Sequence, residues 1–183
     1  EDWLNALLDE FRTLFFNGTL APELPRVRVS CGFPKGRAAA IGQCWSSSCS
    51  GDETFEIFIH PGQADALRVG DILLHECIHA AVGLECKHRG AFRSAAIRCG
   101  LTGDMRATVA TTQLAAQLQA LIDRIGSYPH AQLMAANGAK KQSTRLLKLQ
   151  CPECGMIIRT TQKWLEDSGL PLCGTCDREF EQE

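Results

Sequence analysis

An α+β fold is predicted: a domain of helices with a small antiparallel sheet, followed by a small module built on four cysteines. Three observations lead there. Between residues 27 and 60 apolar residues alternate with polar ones; from about residue 65 to 125 they recur at helical spacing; near the C-terminus stand two CxxC pairs. The 183 residues leave room for one domain of catalytic size and a small appendage. With 45% apolar and 22% charged residues the chain is expected to be globular, not disordered. A net charge of −2 excludes a basic coat over the whole surface, so contact with nucleic acid would have to come from a local patch.

Residues 2–16 open with an amphipathic helix carrying Leu4, Leu7, Leu8, Phe11, Leu14 and Phe15, stopped by Asn17-Gly18. A loop with Pro22 and Pro25 follows. Val27, Val29 and Cys31 then alternate with Arg26, Arg28 and Ser30 in a strand pattern. Ala40 to Trp45 is a second short apolar run. Residues 46–53 (SSSCSGDE) are turn-like, and Phe55, Ile57 and Ile59 alternate with Glu56, Phe58 and His60 in a third strand ended by Pro61. Three such strands pair most simply as one antiparallel sheet. From about Asp65, Leu67, Leu74, Ile78 and Ala81 make one buried helical face ending near Gly83. Phe92, Ala95, Ala96 and Cys99 line a second helix, with Gly100 as its C-cap. Leu114, Leu118, Leu121, Ile122 and Ile125 line a third, from about Thr111 to Ile125, closed by Gly126 and Pro129. The expected boundaries are a first domain over 1–134, a basic linker over 135–146 and a C-terminal module over 147–183.

The helix that starts near Asp65 contains His75-Glu76-Cys77-Ile78-His79, an HExxH motif. Residues i and i+4 share a helical face, so both imidazoles reach one metal ion, and Glu76 stands beside the first ligand. A hydrolytic zinc takes three protein ligands and keeps a fourth position for water, whose pKa it lowers to ~7. Glu76 is then the expected general base and acid. For the third ligand His88, nine residues beyond His79 and at the entrance to the next helix, is preferred, with Glu85 as the alternative. His60 and His130 are read as structural. Cys77, Cys86 and Cys99 are read as buried thiols, and Cys44 and Cys49, on either side of a serine-rich turn, as an unsupported second metal pair. Tyr128, the single tyrosine, is assigned to packing against the linker, with stabilisation of an oxyanion as the alternative.

Cys151-x2-Cys154 and Cys173-x2-Cys176 are eighteen residues apart, the spacing of two turns that close a tetrahedral site of four thiolates. A module of under ~40 residues has too little core of its own, so this second zinc is expected to be structural, with Gly155 and Gly174 easing the turns. Cysteines used as ligands imply a reducing compartment. With no basic-then-apolar leader at residue 1 and no run of ~20 apolar residues, a cytoplasmic chain without a membrane partner is expected. Residues 131–152 contain no acid, and Lys140, Lys141, Arg145 and Lys148, followed by Arg159, Lys163 and Trp164, form a basic stretch beside an aromatic. Such a stretch grips phosphates and stacks a base, which makes DNA an expected partner.

The HExxH motif, the trailing His88 and the phrase His88-Arg89-Gly90-Ala91-Phe92 together resemble the SprT-like family of zinc metallopeptidases. The family pattern reads HGxxF at the third ligand; here the His-to-Phe spacing is kept and the glycine stands one place later. Bacterial and phage members often end in a zinc ribbon, as residues 148–176 do. The resemblance runs from about residue 2 to 180. It implies a zincin-like metallopeptidase domain in which His75, His79 and His88 hold zinc and Glu76 is the catalytic acid and base. It also implies substrates among DNA-associated proteins, and hence a place at the nucleoid. Because strands precede the metal helix, one of them among residues 27–60 is expected to offer an edge to an extended substrate. The competing expectations are a non-catalytic binding protein, recruited by its ribbon to nucleic acid or the transcription machinery, and a hydrolase of small amides.

Overall fold

The computed structural model describes residues 1–35, 40–134 and 146–182, and the chain divides between residues 134 and 135 into two compact units. In the first unit helix α1 (Asp2–Leu14) precedes strands β1 (Val27–Cys31), β2 (Gly42–Trp45) and β3 (Phe55–Ile59). Helices α2 (Ala66–Val82) and α3 (Ala91–Arg98), the two-residue strands β4 (Leu101–Thr102) and β5 (Val109–Ala110), and α4 (Thr112–Ile125) complete it. Asp65 caps α2 and Thr111 caps α4 through side-chain oxygens that accept from Arg68 N and Leu114 N, each satisfying one of the free N–H groups of a first turn.

The sheet corrects the antiparallel expectation. Its order is β1-β3-β2; β2 runs antiparallel to β3, but β1 runs parallel to it, with Val27 opposite Phe55 and Cys31 opposite Ile59. Alternation marks a strand's faces and says nothing about its direction. What decides the order is apolarity. β3 has Ile57 and Ile59 fully buried and takes the centre, whereas β1 carries exposed Arg28 and β2 carries Gly42, residues suited to an edge. The stretch from Cys31 to Phe55 is long enough for the crossover that parallel pairing requires.

Helix α2 also departs from expectation. In place of a single apolar face, every residue from Val69 to Ala80 is buried, while Leu67 and Ala81 at its ends are only half-buried. It runs through the middle of the unit, against α1, α3, α4, β2 and β3. A helix buried all round is apolar all round, and the polar residues Asp71, His75, Glu76 and His79 on it are therefore conspicuous.

In the second unit β6 (Leu147–Gln150) lies between β7 (Ile157–Thr160) and β8 (Glu181–Gln182), both antiparallel to it, and the short helix α5 (Gln162–Ser168) follows β7. Its core is small: Leu149, Phe180 and the ligand-type residues Cys151 and Cys173.

Candidate metal centres

His75 and His79 project from α2 one turn apart, and His88 arrives from the loop that returns after Gly83. That glycine, at φ +92°, ends the helix in a conformation closed to most side chains. A 3-10 turn over Leu84–Cys86 and the left-handed Lys87 (φ +50°) and Gly90 (φ +52°) fold the chain back so that His88 faces the helix. The ligand atoms of the three histidines lie within 4.8 Å of one another, and Nε2 of His79 stands 3.2 Å from Nε2 of His88. Tetrahedral zinc, with Zn–N of 2.0–2.1 Å, separates its ligands by about 3.3–3.4 Å, so these donors fit it. Glu85, the alternative ligand, is exposed and its carboxylate folds against Gly83.

The rings are held in place from behind. His75 Nδ1 is 2.8 Å from Thr108 Oγ1, which leaves Nε2 for a metal. Thr108 is fixed in turn: its carbonyl accepts from Arg68 Nη1, and the same Nη1 binds Asp71, whose other oxygen accepts from Ala110 N. Phe92 is completely buried beneath all three imidazoles, stacked on His79 at 4.2 Å and edge-on to His75 and His88 at 4.9 and 5.1 Å. His79 Nδ1 is buried without a hydrogen-bond partner among the described residues, so that ring is oriented by its stacking on Phe92.

Burial lowers the His75 pKa to about 3 and that of His79 to about 4, with the neighbouring imidazoles adding to the effect; His88 is also lowered. All three rings are thus neutral at pH 7, the form that binds metal. Burial raises Glu76 to about 8, partly offset by the backbone N–H of Cys44. Glu76 and the three histidines line one cleft of about 390 Å³, roofed by Ile41, Gly42, Gln43 and Cys44 on the β2 side. The roof sits close because position 42 is glycine: a Cβ there would lie 2.6 Å from Ile72 Cγ2 and 2.8 Å from Glu76 Oε1.

The second centre belongs to the other unit. Cys151, Cys154, Cys173 and Cys176 converge, with Cys154 and Cys173 sulfurs 3.7 Å apart. Zn–S bonds of 2.3 Å in a tetrahedron give about 3.8 Å, so four thiolates and a zinc ion match this cage. The two turns repeat one geometry. Gly155 N donates to Cys151 O at 3.0 Å and Asp177 N to Cys173 O at 2.9 Å; Cys151 N donates to Met156 O and Cys173 N to Arg178 O. Gly155 (φ +72°) and Asp177 (φ +49°) hold the left-handed position, so Asp177, not the expected Gly174, is the counterpart of Gly155. Backbone N–H groups of Thr175 and Cys176 lower the Cys173 thiol to about 7, toward the thiolate.

Other assignments sort as follows. His60 Nδ1 accepts from Gly62 N at 2.9 Å, and His130 Nε2 is 2.8 Å from Pro61 O, so each ring is tied to nearby backbone. Cys77 and Cys99 are buried, but Cys86 is only half-buried, bonded to Val82 O. Cys49 is exposed, and no metal cluster includes it or Cys44 among the described residues. Tyr128 does not line the cleft; its ring packs on Trp3, ring centroids 4.8 Å apart, and the linker expected against it lies mostly outside the described residues. Lys140, Lys141 and Arg145 lie outside the described residues. Lys148 is half-buried, directly opposite Arg159 across β6 and β7, while Arg159, Lys163 and Trp164 are exposed. Comparison with protein-family models, curated proteins and solved structures gives no match to this chain.

Proposed function

We propose that the first unit is a zincin-like, SprT-like zinc peptidase that cleaves proteins. The observation that supports it is the company Glu76 keeps: a buried carboxylate on the same cleft wall as three converging imidazoles. A structural ion has no use for a carboxylate there, whereas hydrolysis needs one. When bound, zinc lowers the pKa of a water molecule and polarises a substrate carbonyl. Glu76 takes the proton that attack by water releases and hands it to the departing amine. A pKa raised by burial suits a group that must both accept and give a proton near neutrality. The edge strand β2, which roofs the cleft, pairs with an extended polypeptide through backbone hydrogen bonds that tolerate many sequences. The cleft is open to solvent, which favours a chain passing through over a small enclosed amide.

The ribbon supplies recruitment. Exposed Arg159 and Lys163, with a Trp164 that is 60% exposed in the same unit, offer cations for phosphates and a ring for stacking, which favours DNA as the partner of this unit. By the same observation, if the first unit has no activity, the protein acts as a nucleic-acid-binding module. The deciding experiment combines zinc counting with cleavage of casein, with and without DNA. Glu76→Gln is expected to keep two zinc ions per chain and lose turnover, and His88→Ala to keep one. Full activity in Glu76→Gln would remove the assignment.

A further inference from the structure

The metal cleft continues past His79 and His88 into a second hollow of about 1000 Å³, walled by the 84–89 loop and residues 104–106. The two hollows share His79, Leu84, His88 and Arg106. Cations dominate the second: Lys87, Arg89 and Arg106 against Glu85 and Asp104. Among the described residues none of those three cationic side chains has a carboxylate partner. The two acids are otherwise disposed. Asp104 accepts from the backbone N–H of Arg106 at 2.9 Å, and Glu85 folds against Gly83. The other arginine of the metal cleft, Arg68, is engaged by Asp71 and the Thr108 carbonyl. Arg106 is therefore the guanidinium that lines both hollows with no carboxylate at ion-pair distance among the described residues.

We propose that Arg106 is a specificity-determining residue, and that the polypeptide cleaved here carries an acidic side chain close to the scissile bond, held by that guanidinium. The inference rests on the peptidase reading of the cleft and names its substrate class. A guanidinium offers a planar fork that matches a carboxylate, and such charge-assisted bonds are about twice as strong as neutral ones. A phosphate backbone is the poorer fit: a polyanion laid along the hollow would have to pass Glu85 and Asp104, whereas a single carboxylate reaches Arg106 and leaves the backbone to β2.

The test has two arms. In the first, zinc-loaded wild-type protein cleaves a mixed peptide library, and mass spectrometry reads the residues around each cut. Glu or Asp is expected to exceed Gln or Asn by about fivefold at one flanking position, the size of a partly solvated ion pair. The preference should vanish in Arg106→Gln, return in Arg106→Lys and turn toward lysine in Arg106→Glu. In the second arm, zinc-loaded Glu76→Gln protein binds fluorescent peptides that differ only by Glu or Gln at one scanned position. Here the affinity ratio should follow Arg106 in the same way and shrink with added salt. Absence of the preference in both arms, or its survival in Arg106→Glu, overturns the proposal. So does displacement of the acidic peptide by a short single-stranded oligonucleotide with the same Arg106 dependence, which would make the hollow a phosphate track. If no peptide is cut although zinc is bound, the peptidase reading fails, and the binding arm still judges Arg106.

Discussion

The proposed chemistry of the first unit depends on residues that either lie against Glu76 or stand behind a metal donor. Gly42 is one. A methyl group at that position meets Ile72 Cγ2, which branches from Cβ and is fixed in the helix, and the Glu76 side chain, so the roof has to shift and the carboxylate is displaced with it. Gly42→Ala is expected to cost about 1–3 kcal/mol in a urea melt, to keep its zinc, and to lose about tenfold or more in turnover. Thr108 is another. Removing its hydroxyl frees the His75 ring to rotate, and Thr108→Ala is expected to weaken zinc binding about tenfold in competition with a chelating dye. An unchanged affinity would show that packing alone orients His75. The converging pair His75 and His79 was legible in the sequence because helical geometry links positions four apart. Thr108, 33 residues from His75, was not, since its position depends on how β5 docks on α2. Phe92 was visible as part of a phrase, but its place beneath three rings is a product of tertiary folding. Gly42 carried a weaker signal, a glycine inside an apolar run, which marks a close approach of backbone.

Helix α2 concentrates buried ionisable groups in one element, and this gives the metal-free protein a characteristic pH dependence. His75 and His79 fall from the ordinary 6.5 to about 3 and about 4. Between those values and 6.5 the unfolded chain binds protons that the folded one refuses, so stability falls as pH drops. Glu76 acts in the opposite sense. From 4.5 to about 8 the folded protein holds a proton that the unfolded chain has released, so stability falls as pH rises. Two imidazoles outweigh one carboxylate below 6.5, and only the carboxylate is left above it. Each group contributes a slope of about 1.4 kcal/mol per pH unit. Chelator-treated protein is expected to unfold at the highest urea concentration near pH 6.5, and lower on both sides when measured at about pH 5 and 8. A steady gain up to pH 8 would mean that Glu76 is ionised in the fold. Helices α1 to α4 were readable from their apolar spacing; α5, only seven residues long and with none of them buried, was not. The sheet's parallel pair was not, because strand direction depends on which strand takes the centre, and that is settled by competition for burial among all three.

The molecule consists of two units, each with its own core and its own donor set. Their stabilities should therefore be separable. The small core around Leu149 and Phe180 cannot replace a lost thiolate, so Cys151→Ser is expected to unfold the C-terminal unit and release one zinc. The first unit should keep its cooperative melt; loss of that melt would mean that the two fold as one. The donors of the first centre are anchored unequally. Two belong to the innermost helix, and the third hangs from a surface loop bent through Lys87 and Gly90. An ion can therefore be delivered or surrendered through movement of that loop alone, with the interior intact. Exchange of radioactive for ordinary zinc should run at the tempo of a hinge, many times faster than denaturation, and the supply of metal to this centre becomes a matter of local traffic instead of refolding.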